Sequence, residues 1–145
     1  MTSTTNGTAT QTRLQPYIFF YGRCQEALEF YKTALGGTYE IMFVKDTPVA
    51  EQMPPGFGDK VMHASFSAPG IEFMASDGRE LKSIDPDAGN ISIGLTIDDS
   101  DKGERILAAL SAGGKITMPL DAAFWGGRFA SFVDRFGVEW LLTLP

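Results

Sequence analysis

Gly70-Ile-Glu-Phe-Met-Ala-Ser76 returns 67 residues later as Gly137-Val-Glu-Trp-Leu-Leu-Thr143. Each copy is a turn glycine followed by a run whose odd and even positions differ in character, as expected of a half-buried strand. Working outward, a second pair appears at an offset of 77: Gln15-Pro-Tyr-Ile-Phe-Phe20 lies over Ser92-Ile-Gly-Leu-Thr-Ile97. At that offset Phe30 lies over Leu107 and Gly36-Gly37 over Gly113-Gly114. Two nearby offsets mark one internal duplication. The offset shrinks because the first copy carries a longer middle loop, Lys45–Lys60, with Pro48, Pro54, Pro55, Gly56 and Gly58.

Each copy reads strand, helix, strand, strand, strand. In the first, Gln15–Phe20 is a β-branched and aromatic run. Cys24–Leu35 follows, with Ala27, Leu28, Tyr31, Ala34 and Leu35 spaced as one helix face, and Gly36-Gly37 stops it. Thr38–Val44, Val61–Ser67 and Ile71–Ser76 read as strands, the last two joined at Pro69-Gly70. In the second copy Ser92–Ile97 is a strand. Asp98, Asp99, Ser100 and Asp101 cap a helix ending near Ala112. Lys115–Met118, Arg128–Val133 and Val138–Leu144 are the remaining strands, and Asp87-Ala-Gly-Asn90 links the copies.

Strand parity assigns faces. Ile18, Phe20, Ile71, Phe73, Ala75, Val138, Trp140 and Leu142 are expected on the helix side. Gln15, Tyr17, Phe19, Glu72, Met74, Ser76, Glu139, Leu141 and Thr143 are then expected in a concave cup. His63 joins the cup if Met62, Ala64 and Phe66 face the core.

The 145-residue chain suits one domain, and its 43% apolar and 21% charged residues suit a globular fold. Lys and Arg number 12 against 18 Asp and Glu, a net charge of −6. That balance argues against nucleic acid and against an anionic membrane surface. One cysteine, Cys24, allows neither an internal disulfide nor a cysteine zinc cage, which fits a cytoplasmic location. No apolar run approaches a membrane span, and the polar, Thr-rich residues 1–12 read as a disordered tail without the features of a secretory signal. No GxGxxG follows a strand, so no nucleotide cofactor is implied.

These features resemble the vicinal oxygen chelate superfamily, the glyoxalase and bleomycin-resistance fold. More narrowly they resemble its PhnB-like branch. The resemblance is carried by Pro16-Tyr-Ile-Phe-Phe20, Ala27-Leu-Glu-Phe-Tyr31, Val61-Met-His-Ala64, Met74-Ala-Ser-Asp77, Phe124-Trp-Gly126, and Asp134-Arg-Phe-Gly137 with Trp140. It spans residues 13–145. It implies an α+β fold of two βαβββ modules, 13–86 and 90–145, forming a curved, mostly antiparallel sheet with helices outside. It also implies one glyoxalase-like domain. A homodimer is expected, because open sheet edges of this kind are usually covered by a partner.

The resemblance also implies a divalent metal held by His, Gln or Glu on the first strand and Glu on the last strand of each module. Those positions fall on Gln15, Ser92, Met74 and Leu141, of which only Gln15 is a usable ligand. Glu72 and Glu139 lie two residues earlier on the same faces, and His63 could join a shifted set. The expectation is therefore no metal and no other cofactor. The expected function is small-molecule binding in the cup, with Gln15, Tyr17, His63, Glu72, Ser92, Trp125 and Arg128 as its lining. Trp125 and Tyr17 would supply aromatic walls and Arg128 an anion contact. The alternative is a metal-dependent lyase, isomerase or dioxygenase with the shifted ligand set. Glu72 and Glu139, if not ligands, would be rim groups solvated or paired with Arg128. Cys24, beside Arg23 at a helix start, reads as an ordinary, partly buried cysteine.

Overall fold

A computed structural model of the chain describes residues 12–145. The tail expected over residues 1–12 lies outside the described residues, apart from Thr12. The first module contains β1 (Tyr17–Phe19), α1 (Cys24–Leu35), β2 (Thr38–Phe43), β3 (Val61–Ala68) and β4 (Ile71–Ser76). The second contains β5 (Ile93–Thr96), α2 (Ser100–Ser111), β6 (Lys115–Ala122), β7 (Arg128–Val133) and β8 (Glu139–Leu144). The long loop after β2 holds two 3₁₀ turns, Val44–Asp46 and Pro48–Gln52.

Each module forms its own four-stranded sheet, ordered β1-β4-β3-β2 and β5-β8-β7-β6. The first strand of each runs parallel to the last, and the other neighbours are antiparallel. The mostly antiparallel sheet structure expected from the sequence is thus carried by two four-stranded ladders of the same order. β6 runs on to Ala122 through Pro119, beyond the expected end at Met118. An edge strand tolerates a residue without an N–H, and β6 is the edge of its sheet.

The paired glycines repeat for a reason beyond stopping helices. A Cβ on Gly37 would lie 2.3 Å from the Ser67 carbonyl oxygen, and one on Gly114 would lie 2.1 Å from that of Val133. Both modules need a bare backbone where the chain leaves the helix and enters the sheet. The helix starts differ. Asp99 caps α2 by accepting from Lys102 N at 3.1 Å. Arg23 gives α1 no side-chain cap. Asp77, from beyond β4, supplies it: its Oδ1 accepts from Gly22 N and Cys24 N, and its Oδ2 from Val61 N.

Both helices lie on one side of the sheets. Ala27, Leu28 and Tyr31 of α1 and Ile106, Leu107 and Leu110 of α2 share one continuous core with Phe66, Phe73, Phe132, Trp140 and Leu142. The helices touch each other across the module junction. Asp134 fastens that junction. Its Oδ2 accepts from Tyr31 Oη of the first module at 2.5 Å and from Trp140 Nε1 at 2.9 Å. Its Oδ1 accepts from Phe136 N and Val138 N. Burial first, and the adjacent Asp134 carboxylate second, push the Tyr31 hydroxyl well above its ordinary pKa. Among the described residues no helix is long and apolar enough to cross a membrane.

Candidate functional site

The face of each sheet away from the helices is the open one. In the first module the register sets Tyr17 opposite Met74, Phe19 opposite Ser76, Ser65 opposite Met74 and Met42 opposite His63. Tyr17, Phe19 and Met42 are all exposed although large and apolar. Tyr17 Oη and His63 Nδ1 are 3.3 Å apart, and the two rings are tilted with centroids at 5.7 Å. Tyr17, Phe19 and Tyr21 form an aromatic row, with successive centroids at 5.1 and 6.2 Å. A cavity of about 170 Å³ opens beside it, lined by Tyr17, Phe19, Val44, Met62, Ser76 and Arg79 among others. The 3₁₀ turns of the long loop supply its outer wall through Val44 and Val49.

The expected polar groups meet in pairs, and the pairs repeat. Gln15 Nε2 donates to Glu72 Oε1 at 2.9 Å, and the Arg13 guanidinium also contacts that carboxylate. At the equivalent place in the second module the Ser92 hydroxyl donates to Glu139 Oε1. These residues do not fit a divalent cation. A metal needs free oxygen or nitrogen lone pairs converging on one point. Here one oxygen of Glu72 accepts from the Gln15 amide and lies beside the Arg13 cation, one oxygen of Glu139 accepts from Ser92, and the positions where the fold would place its other ligands are Met74 and Leu141. His63 faces Tyr17. Among the described residues no three His, Cys, Asp or Glu are gathered closely enough to hold a metal.

Trp125 occupies a different place from the Tyr17 cavity. It is 60% exposed in the β6–β7 loop, in edge contact with Phe124 and Phe129 at 4.8 and 5.6 Å. Those rings, with Met118 and Leu120, line an open apolar cavity of about 550 Å³. Arg128 departs from the expected placement. Its strand neighbours Ala130 and Phe132 are fully buried on the helix side, and Arg128 shares their parity. Its guanidinium pairs with Glu104 of α2 at 3.3 Å and reaches the Pro145 carbonyl. The expected pairing of Arg128 with Glu72 or Glu139 is absent. The cause is parity: a strand starting at Arg128 sends Phe129 and Ser131, not Arg128, to the open face.

The cationic group that does line a cup cavity is Arg79, which follows the Asp77-Gly78 turn and makes no ion pair among the described residues. The only signal for it in the sequence is its place just after a strand end and a glycine. Cys24 is completely buried. Burial, and secondarily Asp77, raise its thiol pKa far above the ordinary range, so it stays a protonated core residue.

Residues 12–143 match the model of the family described as 3-demethylubiquinone-9 3-methyltransferase. The chain is 36% identical to the solved protein PA1353 from Pseudomonas aeruginosa, covering 92% of this chain and 98% of that one, with a TM-score of 0.79. It is 26% identical to the solved PhnB protein from Bacillus cereus, covering 92% and 100%, with a TM-score of 0.72. It is 31% identical to Protein YjdN of Escherichia coli (strain K12), over 90% of this chain and 94% of that one.

Proposed function

Because this chain belongs to the family described as 3-demethylubiquinone-9 3-methyltransferase, the PhnB-like branch of the glyoxalase/bleomycin-resistance superfamily, we propose that it binds a small organic molecule on the open faces of its sheets without a divalent metal. The observation that carries this reading is the character of those faces. Aromatic and methionine side chains stand exposed there, while Gln15 and Ser92, the polar groups at the expected metal positions, are each bonded to a neighbouring glutamate. Apolar walls with a few fixed polar groups are the usual make-up of a small-molecule pocket. The methyl transfer named in the family description is not part of the reading. The two modules are taken as one domain, residues 13–145, in a cytoplasmic protein.

The chain is further read as a homodimer. Met118 on the edge strand β6, with Phe124, Trp125 and Phe129, lines an open apolar patch, and Phe124 is 97% exposed. An open edge strand flanked by such a patch invites a second copy. Light scattering at micromolar concentration should return twice the 15.8 kDa chain mass. A monomer would remove this part of the reading.

The test of the central proposal is metal analysis of protein purified without chelator, joined to tryptophan-fluorescence titration against a panel of aromatic and metabolite ligands. Saturable quenching in protein with far less than one metal per chain supports it. Stoichiometric metal, lost on substitution of Gln15 or Glu72, would replace it with a metal-dependent lyase, isomerase or dioxygenase.

A further inference from the structure

We propose that the cavity beside Tyr17 and Phe19 in the first module is a carboxylate site, taking a small acid with one aromatic ring or a short branched apolar body. This rests on the small-molecule reading above and adds the ligand's charge and size. The lining includes a single charged side chain, Arg79, and no carboxylate. Asp46 and Glu51, on the neighbouring 3₁₀ turns, do not line it. Asp77 is adjacent in sequence, but its carboxylate is 2% exposed and held by three backbone N–H groups. The remaining walls are apolar: Val44, Val49, Met53 and Met62, with the Phe19 ring and the body of Tyr17. A lone guanidinium in an otherwise largely apolar lining suits an anion that carries its own apolar body.

Ser76 sharpens the choice. It is 3% exposed, and its Oγ accepts from Gly78 N at 3.2 Å. Its hydroxyl hydrogen has no protein acceptor among the described residues, although it lines the same cavity as Arg79. A buried donor without an acceptor is costly unless something fills the place. A carboxylate oxygen would accept from the hydroxyl while the guanidinium grips the group through its planar fork. A phosphate dianion is less suited, because one guanidinium and one hydroxyl offer it too few donors.

Size sets the rest. The cavity, at about 170 Å³, lies below the usual range for drug-sized ligands. A single ring fits that space. Gly78, at φ +69°, lets the chain turn there; a Cβ would stand 3.4 Å from both the Phe19 and Tyr21 rings. The aromatic row and the turn that presents Arg79 are therefore packed against each other.

The experiment is a chemical-shift titration of the isotope-labelled full chain with benzoate and, in parallel, with its neutral isostere benzamide. Benzoate should bind about tenfold more tightly, as expected for one charge-assisted contact. Arg79→Gln should remove that preference, and exposed Arg79 can be replaced without disturbing the core. Phe19→Ala should weaken both ligands by a similar factor. Benzoate binding no tighter than benzamide, or a preference that survives Arg79→Gln, overturns the proposal. If both bind equally and both are lost in Phe19→Ala, the small-molecule reading stands and the carboxylate site falls. If neither ligand perturbs the residues lining the cavity, the carboxylate site falls, and the wider reading is decided by the panel titration.

Discussion

The two tryptophans of this chain stand for its two kinds of surface. Trp140 is 2% exposed, donates to Asp134, and lies in ring contact with Tyr31 and Phe132. Trp125 touches Phe124 and Phe129 and is otherwise open to solvent. The first ring sits where two modules, two helices and two sheets converge. The second sits on a hairpin loop with glycines after it, where the fold asks for no side chain of that size. With Phe124 and Phe129 it forms a contiguous apolar patch, the kind of surface that marks an interaction site more often than a single exposed side chain does.

The contrast can be broken by mutation, and the largest effect should come from the buried ring. Trp140→Ala should lower stability by about 3–5 kcal/mol, the range for truncating a large core side chain. Denaturant unfolding would measure it. A loss no greater than that of Trp125→Ala would mean the junction around Asp134 is not the centre of the core.

Tyr31→Phe should cost about 1–3 kcal/mol at neutral pH, because it leaves a buried Asp134 oxygen with one partner fewer. It also carries a pH signature. The folded-state pKa of Tyr31 is raised, so its contribution is fully present below the unfolded value of about 10 and fades as pH rises above it. Melting curves of the native chain should therefore fall off at alkaline pH more steeply than those of Tyr31→Phe. Parallel curves would remove the tyrosine from the junction's energetics.

Trp125→Ala should change stability by less than about 0.5 kcal/mol, as for surface substitutions generally. It should weaken ligand binding or self-association by roughly 1–3 kcal/mol, read by titration and light scattering. Unfolding of this variant would show that the open face had been taken for the wrong one. The smallest effect is expected of Arg128→Gln. A half-exposed pair with Glu104 contributes at most about 1 kcal/mol, and ligand affinity should not move at all. A clear loss of affinity there would return Arg128 to the cup.

The duplicated βαβββ order, and the side on which Trp140 lies, were legible because turn glycines and strand parity repeat in both copies. Gln15 with Glu72 and Tyr17 with His63 fell on one face for the same reason. Arg128 is the exception: its charge suits an anion contact in the cup, while its parity in β7 turns it toward the helices. Arg79 was missed because it lies just beyond a strand, where no periodicity assigns a face. Asp77 and Asp134 were visible only as parts of longer motifs. Nothing in their spacing reveals that one caps a helix begun 53 residues earlier and the other anchors a hydroxyl 103 residues away.

The Asp134 bond has a consequence for how the chain is made. During synthesis the strands of the first module and the Asp77 cap of α1 have all emerged once residue 77 is made. Helix α1 nevertheless still presents Tyr31 without its acceptor, beside a core whose other half is untranslated. The amino-terminal half alone therefore lacks both the Tyr31 acceptor and the part of the shared core that the second module supplies. A protein assembled from two similar halves would ordinarily be expected to fold one and then the other. Here a shared core and one long-range carboxylate tie the halves to each other.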